Sequence, residues 1–220
     1  MYNITFISTF HTEIGKCDSD ELYKIIESIN PEVIFEESSS NYFYMFYNTN
    51  PPNLPLEVKC MKKYLQSYNI KHIPVDIDLR YMSDNEHDWM LNAFEKYDVY
   101  KNLVYEQYSL TEQYGFDYLN SDKCLNLHEQ QKIIEKNIME IEKNELLRIY
   151  KLFCKENDIR ENAMLHNIYN YSKENQYNQA VFLLGCAHRK SIMQKIIEYE
   201  KMSEIKLNWT MYSNKQKTCL

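Results

Sequence analysis

The chain has 220 residues, of which 44% are hydrophobic and 26% charged, and its net charge is −7. This composition suits one folded α/β domain with a sizeable core. The negative charge and the absence of a lysine- and arginine-rich run argue against nucleic acid as a partner, because binding to phosphates depends on basic patches.

No stretch of the sequence approaches the roughly 18 apolar residues that a membrane-spanning helix needs, and no signal peptide precedes the first predicted strand. The six cysteines, at positions 17, 60, 124, 154, 186 and 220, are scattered and form no C-x-x-C pair. We therefore expect reduced thiols in a cytoplasmic protein with no membrane partner. No nucleotide cofactor is expected, and the oligomeric state is left open.

Strand-like runs alternate with amphipathic segments in the first third of the chain. Strands are predicted at residues 4–9, 33–37 and 70–77. Ser19 or Asp20 caps a first predicted helix, a second covers residues 56–68, and residues 42–55 form a predicted loop. Two strand–helix–strand units in succession favour parallel strands with right-handed crossovers.

The pattern is helical from about residue 83 to 171. It includes a long amphipathic helix at 125–153 and a D-x-x-E capping box, Asp158 and Glu161, that opens another helix. Strands return at 180–184 and 205–211, with a helix between them at 191–200. We expect one domain over residues 1–220: an α/β fold with a mostly parallel central sheet, flanking helices, and a helical insertion over the carboxyl ends of the strands.

Polar side chains follow the predicted strands at their carboxyl ends. They are His11 after the first strand, Glu36 and Glu37 after the second, Asp76 and Asp78 after the third, and His188 after the fourth. Parallel strands bring such residues to one edge of the sheet, where open α/β folds bind ligands. Imidazoles and carboxylates together can bind a divalent metal or polarise a water molecule. Glu37 is favoured over Glu36 because it lies furthest out on its strand.

Arg160 shares one face of the predicted capped helix with Met164, Asn167, Ile168 and Tyr171. This face otherwise has the character of a buried stripe, and Arg160 is expected in the first turn. A guanidinium there needs an anionic partner, either a site carboxylate or a substrate oxyanion. Asn167 is a secondary candidate for the same site.

Two other reactive side chains lie close to these strand ends. Cys186 precedes His188 by two residues, which suggests a cysteine nucleophile. Neighbouring side chains at a strand end point in different directions, so we expect a buried, inert thiol instead. Glu13 is expected to be an ordinary loop carboxylate.

Four short motifs give the sequence a family resemblance. They are S-T-F-H at residues 8–11, P-E-V-I-F-E-E at 31–37, R-E-N-A-M-L-H-N-I at 160–168 and G-C-A-H at 185–188. Paired G-x-x-H motifs, a glutamate after the second strand and an R-x-x-x-M-x-x-N-I helix resemble the superfamily of TraB/PrgY proteins, TIKI proteases and erythromycin esterases. The matches run from about residue 4 to about residue 196. Ser8 stands where the first motif of the relatives has glycine.

The resemblance implies an α/β hydrolase site built from His11, Glu37, Arg160 and His188, with an acidic residue after the third strand. TIKI-like members look like divalent-metal hydrolases, which implies that His11, Glu37 and His188 would hold a manganese, cobalt or zinc ion if a metal is bound. Erythromycin esterases are thought to activate water with the histidine and glutamate, without a metal requirement. TraB/PrgY-like members bind or inactivate peptide pheromones.

We therefore expect a hydrolase of ester or amide bonds that acts on a small molecule or a peptide. His11, Glu37 and His188 would hold a metal or a water molecule, and Arg160 would stabilise the oxyanion that develops on the carbonyl. One alternative is a non-catalytic TraB-like protein that binds a ligand or peptide in the same cleft. The other is a helical interaction protein in which these residues are structural.

Overall fold

The computed structural model describes residues 2–49, 51–142 and 145–213. The strands of the central sheet are β1 (Tyr2–Thr9), β2 (Val33–Glu36), β3 (Lys71–Pro74), β4 (Gln179–Gly185) and β5 (Leu207–Met211). Their order across the sheet is β3-β2-β4-β1-β5, and every neighbouring pair is parallel. The predicted α/β fold with a parallel sheet is confirmed.

Helices connect and flank the strands. They are α1 (Ser19–Ile29), α2 (Ser40–Asn48), α3 (Leu56–Ser67), α4 (Asp84–Glu95), α5 (Asp98–Tyr114), α6 (Phe116–Leu119), α7 (Asp122–Glu142), α8 (Glu145–Glu174) and α9 (Arg189–Met202). A short 3-10 turn, Cys186–His188, joins β4 to α9. Helices α4 to α8 cover most of the segment predicted as a helical insertion.

The two faces of the sheet are covered by different helices. Val181 and Leu183 of β4 pack into a core with α1 and α3. Ala180, Phe182 and Leu184 of the same strand face the opposite core, formed with α8 and α9. This alternation buries β4 on both sides, as expected for a central parallel strand.

A third core joins the helices of the inserted segment to one another. It contains Met90 and Phe94 of α4, Tyr100 of α5, Ile138 of α7 and Ile149 of α8. Helix α8 contributes to this core and also to the core that it forms with α9 against the sheet, so it links the inserted helices to the sheet. Within the described ranges, no helix has a stretch long and apolar enough to cross a membrane.

Several predicted boundaries were wrong. The predicted loop at residues 42–55 contains α2, which begins after Ser39, whose side chain accepts a hydrogen bond from the backbone of Tyr42. The first helix is capped by Asp18, whose carboxylate accepts a hydrogen bond from the Glu21 N–H at 2.7 Å, and not by Ser19 or Asp20. The third strand ends at Pro74, before the predicted residue 77.

The predicted helices of the inserted segment also differ from those observed. Residues 125–153 belong to two helices, α7 and α8, and residues 143–144 lie outside the described ranges. Asp158 and Glu161 lie within α8 and do not cap a helix, because α8 already begins at Glu145. Arg160 is consequently in mid-helix and not in a first turn.

Candidate active site

Glu37 lies at the centre of the residues that meet at the carboxyl edge of the sheet. It directly follows β2, and its backbone N–H donates to the carbonyl of Leu183 at 3.1 Å. Its Oε2 accepts a hydrogen bond from the Gly185 N–H at 2.8 Å. Its Oε1 lies 3.1 Å from Nη2 of Arg160 and 3.4 Å from Nε2 of His188. The Glu37 carboxylate is therefore held by three donors from β4, the turn after β4, and α8.

Gly185 allows two of these side chains to approach the end of β4 closely. A Cβ atom at this position would lie 3.1 Å from Nε2 of His11 and 3.2 Å from Oε2 of Glu37. The backbone φ angle of Gly185 is −54°, so its conformation is open to any residue. Glycine is therefore needed at position 185 because a side chain there would crowd His11 and Glu37, and not because of its backbone conformation.

A buried carboxylate orients the imidazole of His11. Nδ1 of His11 donates to Oε1 of Glu57 at 3.0 Å, and the Thr9 hydroxyl donates to the same oxygen. Glu57 lies in the first turn of α3, where the helix dipole favours a negative charge. The charge and hydrogen bond of Glu57 raise the pKa of His11 to about 9. His11 is therefore protonated at neutral pH, although its side chain is 60% exposed.

His188 has the same kind of partner on the opposite side of Glu37. Its Nδ1 donates to Oε1 of Glu161 at 2.8 Å. Glu161 is buried in α8 and also accepts from the Ser191 hydroxyl and from Nζ of Lys195, the latter at 3.1 Å. Burial lowers the pKa of His188, but the charges of Glu37 and Glu161 outweigh it and leave the pKa above its ordinary value. Carboxylate partners thus raise the pKa of both histidines.

Arg160 finds the anionic partners that its position requires. Its Nε and Nη2 lie 3.0 and 2.5 Å from Oδ2 of Asp76, which follows β3, and Nη2 also donates to Glu37. Burial lowers the pKa of Arg160, and the contacts with Asp76 raise it above its ordinary value. Nη1 has no hydrogen-bond partner among the described residues, so one donor pair stays free for a ligand.

Of the secondary candidates, Asp76 belongs to this network through Arg160, whereas Asp78 and Asn167 lie outside it. Asp78 accepts hydrogen bonds from the side chains of Ser39 and Asn41 at the edge of the cavity. Asn167 donates to the carbonyl of Val75 at 2.8 Å, which ties α8 to the segment after β3.

Glu36 and Glu13 make structural contacts. Glu36 is buried and accepts from the Tyr47 hydroxyl at 2.6 Å, and its Oε2 lies 2.5 Å from Nε2 of His72. Glu13 binds Ser19 and Lys59 near the surface.

Sequence analysis missed Glu57 as a site residue and interpreted Glu161 as a helix cap. Both are acidic residues on a helical face whose other members are buried and apolar: Met61 and Tyr64 share the face of Glu57, and Leu165 shares that of Glu161. A buried carboxylate needs a hydrogen-bond partner or a counter-ion. That requirement is the signal by which both residues are detectable in the sequence.

A cavity of about 610 Å³ opens above this network. Its floor contains His11, Glu37, Asp76 and Arg160, and its walls come mainly from α2, α4, α8 and the segment that follows β3. Aromatic wall residues include Tyr42, Phe46 and Phe153. The volume falls within the range of small-molecule binding sites, and the floor offers both hydrogen-bond donors and acceptors.

Potential metal ligands lie close together at a different place. Within the described ranges, the trio of ligand atoms that all lie within 4.8 Å of one another belongs to Cys124, His128 and Cys186. This cluster could bind a metal. Cys186 is buried, as predicted for its thiol, and it belongs to this cluster.

No protein-family model, no curated protein and no solved structure matches this chain. The resemblance to the TraB/PrgY, TIKI and erythromycin esterase superfamily stays a prediction based on four motifs.

Proposed function

We propose that the chain is a hydrolase that cleaves ester or amide bonds in the cavity above Glu37. The observation that carries the proposal is the matched orientation of two histidines. Each binds a buried carboxylate through Nδ1, and each has its Nε2 on the side of Glu37. Histidines held by a carboxylate in this way have a fixed orientation and are suited to proton transfer.

The charges of the network support a division of labour between a base and an acid. Glu37 is a carboxylate on the floor of the cavity, where it can accept a proton from a water molecule. His11 has a pKa of about 9 and lines the cavity, so it enters the reaction as a proton donor. Arg160 contributes the free Nη1 as a donor for developing negative charge.

The proposed reaction balances in two steps. Glu37 takes a proton from water while the water oxygen bonds to the carbonyl carbon, and Arg160 stabilises the resulting oxyanion. The tetrahedral intermediate then expels the alkoxide or amine, which takes the proton of His11. The proton that Glu37 took from water then passes to His11, which restores the starting state of both side chains. Of the two histidines, His11 lines the cavity and transfers the proton, whereas His188 positions Glu37.

The donor set of this site does not fit the divalent ion that TIKI-like relatives imply. A manganese, cobalt or zinc ion on His11, Glu37 and His188 would need three ligand atoms close to one another, and within the described ranges these three side chains do not form such a group. The Arg160 guanidinium already lies 3.1 Å from Glu37 and would repel a dication. The proposed reaction therefore uses water, Glu37, His11 and Arg160 alone.

The proposed substrate is a small molecule or a peptide segment, because the cavity of about 610 Å³ has both polar and aromatic walls.

The described cysteines 17, 60, 124, 154 and 186 are free thiols. This supports the proposed cytoplasmic location, since free thiols persist in reducing compartments.

The test is hydrolysis of chromogenic esters and fluorogenic peptides by the purified chain and by Glu37→Gln. We expect Glu37→Gln to lower kcat by at least about 100-fold, as removal of a general base does, in a variant that circular dichroism shows to be folded, since loss of the ion pair with Arg160 also lowers its melting temperature. Glu13→Gln is the matched control, because Glu13 lies outside the network. If the wild type cleaves no ester or amide, but cavity ligands raise its melting temperature, the non-catalytic binding alternative replaces the hydrolase.

A further inference from the structure

We propose that Cys124, His128 and Cys186 form a zinc site that is separate from the hydrolytic site. The potential ligand atoms of the three side chains all lie within 4.8 Å of one another. Cys124 and His128 are one turn apart on α7, so they share a helix face. Cys186 is the first residue after β4. Three ligands from two distant segments thus converge on one point.

The ligand types select zinc among the common divalent ions. Two thiolates and one imidazole are soft and borderline donors, which magnesium and calcium avoid and zinc prefers. With bonds of about 2.3 Å to sulfur and about 2.0 Å to nitrogen, ligand atoms in a tetrahedral zinc site are about 3.5 Å apart. The observed limit of 4.8 Å requires only a small inward movement of the side chains.

Gln107 of α5 lies beside two of these three side chains. Its Nε2 is 3.4 Å from Nε2 of His128 and 3.8 Å from Sγ of Cys186. Its Oε1 accepts a hydrogen bond from the Gln131 amide at 3.0 Å, which fixes the Gln107 side chain. An amide in this place can donate to a metal-bound thiolate, which is a common outer-shell contact.

Arg189 supplies a second reason to expect thiolates here. It is 5% exposed, and its Nε has no hydrogen-bond partner among the described residues. Its Nη1 donates to the Ser121 carbonyl at 2.7 Å. A buried N–H without an acceptor is costly. Metal-bound thiolates would provide negatively polarised acceptors beside it.

A zinc ion at this position would join α7 to the turn Cys186–His188. This turn carries His188, whose side chain contacts Glu37 in the hydrolytic site. The ion would act as a structural cross-link from the opposite side of the turn. It would hold the backbone of His188 without contacting substrate.

The test is metal binding by the full chain, purified under reducing conditions and given zinc or cobalt(II). We expect one ion per chain by mass spectrometry and a thiolate-to-cobalt charge-transfer band. Cys124→Ala and Cys186→Ala should each weaken zinc binding by at least about 100-fold. Cys60→Ala is the matched control, since Cys60 is also a buried free thiol but lies outside the cluster. A chelator should lower the melting temperature of the wild type and of Cys60→Ala only.

His128→Asn, with folding checked by circular dichroism, covers the case in which a cysteine variant does not fold. Zinc bound equally well by folded Cys124→Ala, Cys186→Ala or His128→Asn would overturn the proposal. So would zinc that is lost in His11→Ala but kept in Cys124→Ala, because it would lie in the hydrolytic site. A wild type that binds no zinc would also overturn the proposal. So would a disulfide between Cys124 and Cys186 that persists under reducing conditions.

Discussion

Glu57 accepts a hydrogen bond from Nδ1 of His11 at 3.0 Å, on the side of the imidazole opposite Glu37. Glu161 makes the equivalent contact with Nδ1 of His188 at 2.8 Å. Both histidines are thus oriented from behind by carboxylates of helices, one from α3 and one from α8. The sheet edge supplies the reacting groups, and the helices fix their directions and protonation states.

Replacing Glu57 by glutamine should lower the pKa of His11. The negative charge of Glu57 is the largest cause of the raised value of about 9, so its removal should bring the pKa toward the ordinary value of 6.5. The imidazole resonances of His11 in an NMR pH titration measure this directly. Glu13→Gln should leave the titration unchanged, and an unshifted His11 in Glu57→Gln would show that Glu57 does not set its protonation.

The same pair should make stability depend on pH within a defined window. A folded-state pKa raised from 6.5 to about 9 gives His11 a contribution that is complete below pH 6.5 and lost as the pH rises through 9. The pKa of Glu57 is lowered by His11 against the effect of burial, so its contribution is complete above its ordinary value of 4.5 and disappears in acid.

The free energy of unfolding of the wild type should therefore exceed that of Glu57→Gln most clearly between pH 4.5 and 6.5. Because the His11 side chain is 60% exposed, solvent screening keeps the difference small. Denaturant unfolding of both proteins across this range measures it. A difference that is constant up to and beyond pH 9 would contradict the assignment.

Removal of Arg160 should destabilise the chain strongly. Arg160→Ala leaves the buried carboxylates of Asp76 and Glu37 without their cation, and breaking such a pair costs about 3 kcal/mol. Arg148→Ala is the matched control, since Arg148 pairs with exposed carboxylates, where the expected cost is below about 1 kcal/mol. The double variant Arg160→Ala/Asp76→Ala measures the coupling between the two residues. If Asp76→Ala lowers the free energy of unfolding as much in Arg160→Ala as it does in the wild type, the two residues are not coupled.

The residues at the strand ends were predictable because their positions follow from local pattern. Buried runs that stop at His11, Glu37 and His188 indicate where strands end, and parallel strands carry these ends to one edge. Arg160 was predictable as a charge that needs a partner, although its helix was assigned the wrong start. The structure brings these residues together with Asp76.

Contacts between distant helices were harder to predict. Glu57 and His11 are 46 residues apart, and no local pattern relates a residue of α3 to the end of β1. Helix α2 was missed because none of its residues is buried, so it has no apolar stripe, and Tyr44 on it is 68% exposed. Its start depends on the Ser39 cap, which is a weak signal in a segment rich in asparagine and proline.

Gly185→Ala should impair catalysis and leave the fold intact. The added Cβ would lie 3.1 Å from Nε2 of His11 and 3.2 Å from Oε2 of Glu37, which forces a shift of a few tenths of an ångström between them. A shift of this kind should reduce kcat by about tenfold, because reaction rates are steeply sensitive to geometry. Gly15→Ala provides the contrast: its φ of +51° and the close Glu112 carbonyl predict a lower melting temperature without a direct effect on the network.

Asn120→Ala should destabilise the end of β1 at Ser8. At this point β5 has already ended, and the backbone of β1 forms hydrogen bonds with the Asn120 side chain instead of with a strand. Its Oδ1 accepts from the Ser8 N–H at 2.7 Å, and its Nδ2 donates to the Ser8 carbonyl at 3.1 Å. Both Ser8 and Asn120 are buried, so the loss of these bonds should cost about 2 kcal/mol.

Chemical unfolding of Asn120→Ala beside Ser8→Ala separates the backbone contacts from the serine side chain. The Ser8 hydroxyl has no hydrogen-bond partner among the described residues, so its removal should leave stability unchanged or slightly raised. Should Ser8→Ala be as destabilising as Asn120→Ala, the hydroxyl has a structural partner of its own. The hydroxyl of Ser8 would then contribute to stability, and the hydrogen bonds between the Ser8 backbone and Asn120 would not be the whole contribution.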